Sequence, residues 1–242
     1  MAVAAPARDT PPMDEGSSVR SHEITVPRTA RYAVLGAGVS RVEEVWLACH
    51  GYGQLASRFI HRFGVIDNGK RLIVAPEALS RFYVSGGTRP HSGDEKVGAS
   101  WMTREGRDAE IADQVTYLDL VRERVFDGLA RRSARFVGFG FSQGTTTVCR
   151  WAARTATPPE HLVLWGGGVP ADLLEGAGRE GLTRATITIV VGASDPIADD
   201  GRVAGHKKQL DAAGLSYRLV TFDGGHEIDG GVLREIADGL YL

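Results

Sequence analysis

Residues 140–144 read Gly-Phe-Ser-Gln-Gly, a G-x-S-x-G pentapeptide. It follows the apolar run 135–139 and precedes a stretch with helical spacing, so Ser142 sits where a strand turns sharply into a helix. Side chains flanking so tight a turn would collide with neighbouring backbone, which accounts for Gly140 and Gly144. The turn would lift the Ser142 hydroxyl above the sheet. It would also set the first N–H groups of the next helix beneath a reacting carbonyl, where they can bind negative charge. A glycine-rich turn with a capping serine reads similarly in isolation. The strand before and the helix after favour a nucleophile.

A serine hydroxyl needs a base, and the base needs an acid to orient it. With the nucleophile on a strand-to-helix turn of this kind, the order along the chain is serine, acid, histidine. Of the seven histidines, His161, His206 and His226 follow Ser142. His161 immediately precedes a candidate strand, at its wrong end. His206 lies inside a helical pattern beside Lys207 and reads as solvated. His226 lies in Asp-Gly-Gly-His-Glu, on a loop past the strand 217–222, and is the expected base. Asp195, in Gly-Ala-Ser-Asp-Pro just past the strand 186–191, is the expected acid. Asp199, Asp200 and Asp223 are weaker candidates, and Glu227 would have to fold back on its neighbour.

Acyl transfer develops a negative oxygen, which two backbone N–H groups usually receive. One is expected from Gln143. The other is expected from Tyr52, in the loop His50-Gly51-Tyr52-Gly53-Gln54 after the strand 45–49, where two glycines let the backbone approach a substrate. His50 precedes Ser142 and reads as a structural, hydrogen-bonded side chain.

The elements that must position these groups are visible as alternating patterns. Candidate strands are 21–26, 31–35, 45–49, 72–74, 135–139, 162–165, 186–191 and 217–222. From 45 onward they are apolar throughout, as strands buried on both faces should be. The first two alternate more, like an edge hairpin. The clearest helix begins near Asp108, where Ile111, Val115, Leu118, Val121, Val125 and Leu129 form one stripe and Gly128 offers an early stop. Its acidic start and its basic end at Arg131 and Arg132 suit the helix dipole. Other helical stretches are 55–63, 143–154, 202–213 with Gly214 as stop, and 232–241. Such alternation predicts an α/β domain over 21–242: a mostly parallel central sheet of about eight strands with helices on both faces. In these sheets sites gather past the C-terminal strand ends. Residues 80–100 lack a period and read as a long covering loop.

Composition narrows the function further. The 242 residues carry a net charge of −2 and are 43% hydrophobic. That balance excludes a generally basic nucleic-acid binder, and no apolar run reaches the ~20 residues of a membrane span. Cys49 and Cys149 are too few for a disulfide framework and read as buried thiols. Residues 1–20, rich in proline, serine and small side chains, read as a disordered tail without the charged and apolar regions of a signal peptide. Together these point to the cytoplasm. Gly36-Ala37-Gly38-Val39-Ser40-Arg41 begins like a dinucleotide fingerprint but has arginine at its sixth position and no helix to open. The histidines and cysteines lack metal spacing.

The segments HGYGQ, GFSQG, GASDP and GGHEI together resemble the phospholipase/carboxylesterase family of small α/β-hydrolases, which includes acyl-protein thioesterases. Ser100-Trp101-Met102, Pro76 and residues 166–170 (GGGVP) extend the likeness, which spans about residue 43 to the C-terminus. The resemblance implies an α/β-hydrolase fold, with Ser142 as nucleophile, Asp195 as acid and His226 as base. It implies Tyr52 and Gln143 as oxyanion donors, and Trp101 with Met102 lining the substrate cleft. The family commonly has a small apolar residue and an acid where this chain has Tyr52 and Gln54. Residues 81–96 are polar and glycine-rich, unlike a lid for long lipid chains.

The expected function is hydrolysis of small to medium carboxylic esters, or of thioesters, through an acyl-serine intermediate. The substrate is a small molecule, and neither metal nor organic cofactor is implied. A homodimer is compatible with the sequence. Alternatives are a peptidase or dienelactone-type hydrolase, the latter favouring cysteine, and a non-catalytic binding protein on the same scaffold.

Overall fold

The structure is a computed structural model that describes residues 21–38, 40–85, 93–130 and 134–240. The expected tail 1–20 and the basic pair Arg131 and Arg132 lie outside the described residues. In chain order the elements are β1 (Tyr32–Gly36), β2 (Glu44–Cys49), α1 (Ala56–Phe59) running into a 3-10 helix at Ile60–Ile66, and β3 (Arg71–Pro76). Next come β4 (Ser80–Tyr83), β5 (Val97–Ser100), α2 (Arg107–Asp127), β6 (Arg135–Phe141), α3 (Gln143–Arg154) and β7 (His161–Trp165). The rest are α4 (Gly176–Leu182), β8 (Thr186–Gly192), α5 (Asp200–Ala212), β9 (Tyr217–Phe222) and α6 (Gly230–Gly239).

The main sheet has seven strands in the order β1-β3-β2-β6-β7-β8-β9. Only β1 runs antiparallel, against β3 at the edge; every other pairing is parallel. The wholly buried β2 and β3 show why the central strands read as continuous apolar runs. Alternate residues serve opposite faces. Val45, Leu47 and Cys49 pack with Leu118 and Val121 of α2, Val148 of α3 and Leu210 of α5. Trp46 and Ala48 pack with Phe59, Phe63 and the α6 residues Leu233 and Ile236.

Two expectations need correction. Residues 21–26 form no strand and join neither sheet, and Ile24 and Val26 are 86% and 64% exposed. β1 pairs with β3 on its inner side. Pro27, with no N–H to give, stands between the segment and any ladder with β1. Residues 80–100 are not a featureless loop: β4 and β5 form an antiparallel ribbon, with 86–92 outside the described residues. Gly36, the first glycine of the dinucleotide-like run, ends β1 at φ +103, where an added Cβ would stand 2.3 Å from the Arg71 carbonyl. Its glycine serves strand packing.

A buried ion pair fastens the N-terminal ends of the parallel strands. Glu44 and Arg71 are register partners on β2 and β3, and Arg71 Nε donates to Glu44 Oε1 at 2.7 Å. Arg71 Nη2 also donates to the Ala237 carbonyl at 2.7 Å and to Asp238 at 3.0 Å, so the same guanidinium holds α6. Arg135 also reaches the Glu44 carboxylate at 3.3 Å, so each member of the pair has a second opposite charge beside it.

Candidate active site

The opposite, C-terminal ends of β2, β6, β7, β8 and β9 carry the expected chemical groups on adjacent loops. Ser142, between β6 and α3, is at φ 51 and ψ −115, the only non-glycine residue with positive φ among the described residues. A backbone so rarely adopted by an L-residue costs of order 1–3 kcal/mol and persists only when its surroundings impose it. Here the Ser142 amide donates to the Trp165 carbonyl at 2.8 Å, and its own carbonyl accepts from Thr145 N and Oγ1 at 3.0 and 2.7 Å. The flanking glycines are obligatory: a Cβ on Gly144 would lie 2.1 Å from the Cys49 carbonyl, and one on Gly140 2.5 Å from the Gly144 carbonyl.

His226 and Asp195 meet. The imidazole Nδ1 is 2.7 Å from Asp195 Oδ2, and the carboxylate is fully buried while the ring is 21% exposed. A carboxylate only accepts, so Nδ1 is the donor in this bond, and in the neutral ring the lone pair lies on Nε2. The other carboxylate oxygen accepts from Ile197 N at 2.8 Å, and the two loops are joined where Ser194 N donates to the Gly224 carbonyl at 2.8 Å. The imidazole packs against Phe141, the residue before Ser142, with ring centroids 5.0 Å apart. On another side it lies against Gly166, at φ +61, where a Cβ would come within 2.9 Å of the ring. The Ser142 hydroxyl makes no hydrogen bond among the described residues; unliganded sites commonly leave such bonds open.

The other candidates fall elsewhere. Asp199 caps α5 by accepting from Arg202 N at 2.9 Å, and Asp200 is the first residue of that helix. Asp223 is exposed, and the Glu227 carboxylate reaches only the Gly225 amide, at 3.5 Å. His161 opens β7 at the far end of the sheet. His206 corrects the expectation of a solvated ring: it is half-buried, with Nε2 3.2 Å from the Val169 carbonyl, and burial lowers its pKa.

The Tyr52 and Gln143 backbone amides donate no hydrogen bond among the described residues. The loop that carries Tyr52 is braced from several sides. Gly51 N donates to Gln54 Oε1 at 2.8 Å, Gly53 N to the Ala99 carbonyl at 2.9 Å, and Ala99 N to the Gln54 carbonyl at 3.1 Å. The Tyr52 ring is 63% exposed and leans on Phe82 of β4. His50 is buried; its Nδ1 donates to the Gly51 carbonyl at 2.8 Å and its Nε2 accepts from Ala78 N at 3.1 Å. That pattern requires the neutral ring, and burial pushes the His50 pKa down accordingly.

Trp101 is held from within the fold. It is 2% exposed, and its indole N–H donates to the His50 carbonyl at 2.8 Å. It steadies the loop from beneath. Met102 is half-buried beside the elbow, its carbonyl accepting from Gln143 Nε2 at 2.9 Å. The Gln143 side chain, which sequence reading passed over in favour of its amide, clamps the β5–α2 connection to the elbow. Its Oε1 accepts from Trp101 N at 3.1 Å, and its Nε2 also donates to Ser100 Oγ at 3.1 Å. The aromatic seat at Phe141 was likewise missed, although the pentapeptide contains it. Cys49 and Cys149 are buried, and burial raises both thiol pKa values. Among the described residues no cluster of His, Cys, Asp and Glu could hold a metal, and no helix is long and apolar enough to cross a membrane.

A mostly parallel sheet covered on both faces, with its loops converging on a strained serine, defines the α/β-hydrolase architecture. Solved structures agree. The chain is similar to a phospholipase/carboxylesterase from Dyadobacter fermentans, at 17% identity and TM-score 0.60 over 90% of this chain and 99% of that one. It is similar to Zea mays acyl-protein thioesterase 2, at 14% identity and TM-score 0.62 over 88% and 98% of the two chains. It is also similar to the esterase PE8, at 21% identity and TM-score 0.60 over 86% and 100%. At such identities the likeness establishes the fold. No protein-family model and no curated protein sequence matches the chain.

Proposed function

We propose that the chain is a serine hydrolase acting on carboxylic esters of small to medium acyl groups, and on thioesters, through an acyl-serine intermediate. The observation that carries this reading is the 2.7 Å bond between His226 Nδ1 and Asp195 Oδ2 on loops beside a serine forced to φ 51. The esterases and thioesterases that share the fold support it. In the proposed reaction His226 Nε2 takes the Ser142 proton as Oγ bonds to the carbonyl carbon. The carbonyl electrons move to oxygen, where the Tyr52 and Gln143 amides receive the charge. Collapse breaks the bond to the leaving oxygen or sulfur, which takes the proton from the imidazolium. Water then attacks the acyl-serine with His226 again as base, releasing the acid and restoring the hydroxyl. Asp195 keeps the ring oriented and stabilises its charged form. No step needs a cofactor. Two buried thiols suit a reducing compartment, and we assign the cytoplasm.

The test is fluorophosphonate labelling beside hydrolysis of p-nitrophenyl butyrate. The wild type should label at Ser142 and turn over the ester, and Ser142→Ala should lose the label and about 10⁴-fold of the rate. A wild type that neither labels nor turns over ester is a binding protein on a hydrolase scaffold.

A further inference from the structure

A cleft of about 260 Å³ opens beside the imidazole, with His226 and Phe141 in its wall. Three cations rim it: Arg58 of α1, Arg62 of the adjoining 3-10 helix, and Lys96 just before β5. All three side chains are exposed, and none is in an ion pair among the described residues. Their backbones are anchored, since Arg58 N donates to the Leu55 carbonyl at 3.0 Å and the Lys96 carbonyl accepts from Val84 N at 2.9 Å. Among the described residues Glu227 is the one acid on the rim. The whole chain carries a net charge of −2, so this positive concentration is local and does not reflect a basic surface.

Position gives the charge a meaning. The imidazole that borders the cleft must hand its proton to the departing oxygen or sulfur. That atom therefore ends beside His226, and the rest of the leaving group extends into the space the ring borders. We propose that this cleft receives the leaving group, and that the natural leaving group is an alcohol or thiol bearing a carboxylate or another oxyanion. The inference rests on the esterase reading and adds its substrate class. Attraction by exposed cations across a few ångströms of water is modest per charge and screened by salt, but three together against one acid should be measurable.

The probe is 4-acetoxybenzoate beside its neutral counterpart 4-acetoxybenzamide, each rate normalised to reaction with free imidazole to remove intrinsic reactivity. In the wild type the anionic ester should be preferred in kcat/KM by about tenfold at low ionic strength, the preference shrinking in about 0.5 M salt. The triple variant Arg58→Gln, Arg62→Gln, Lys96→Gln should bring the ratio towards one. Because each ratio is taken within one protein, partial loss of folded enzyme cancels. A wild-type ratio near or below one, or a preference untouched by the triple substitution, overturns the inference and leaves the esterase reading standing. Failure to turn over either ester overturns the inference, and absence of the fluorophosphonate label as well brings the esterase reading down with it.

Discussion

Asp195 illustrates how one side chain answers two structural demands. One oxygen closes its own turn onto Ile197 N and the other fixes the His226 tautomer. Asparagine at this position could keep the turn, but an amide N–H facing Nδ1 would drive the ring proton to the wrong nitrogen. Asp195→Asn should therefore lower kcat on a p-nitrophenyl ester about 10³–10⁴-fold at neutral pH. Asp199→Asn, which alters only a helix cap, should leave kcat within about twofold; steady-state kinetics on the two purified variants decides. The candidate histidine, acid and serine were legible because each sits in a short glycine-containing loop just past the end of an apolar strand. The clamp made by the Gln143 side chain was not, since its partners Ser100, Trp101 and Met102 are about forty residues away and only folding brings them near.

Among elements, β5 contributes more than its four residues suggest. It pairs with β4 on one side and bridges the Tyr52 loop on the other through Ala99. Gly98 lets that loop close in, for an added Cβ would meet the Gly53 carbonyl oxygen at 2.5 Å and Gly53 Cα at 2.7 Å. Both contacts are backbone and cannot swing aside. Gly98→Ala should displace the loop and cut kcat at least about tenfold, with a stability loss of about 1–3 kcal/mol; esterase kinetics and urea denaturation on the same sample separate the two effects. The ribbon escaped sequence reading because its strands are short and lie in a polar, glycine-rich stretch. The long, apolar strands of the main sheet and the stripe on α2 did not. Even there Gln114 broke the pattern: it is buried to donate its amide to the Trp101 carbonyl, a tertiary need invisible to periodicity. Residues 21–26 erred the other way, offering alternation without joining the sheet.

For the molecule as a whole, three histidines contribute to the response to mild acid. Burial lowers the pKa of His50, His161 and His206 below the ordinary value of 6.5. The unfolded chain therefore binds protons first as pH falls. The stability these neutral rings allow is complete above about pH 6.5 and is lost progressively below it. The urea midpoint should be lower at pH 5.5 than at pH 7.5; a midpoint that is flat or rises toward acid contradicts this. Stability also bears on the most strained position in the site. Ser142 is held where only glycine would be at ease, so glycine there would relax the backbone and strengthen the molecule while removing the hydroxyl. A lineage culled by heat alone would drift towards that replacement and inherit a sturdier protein without the proposed nucleophile.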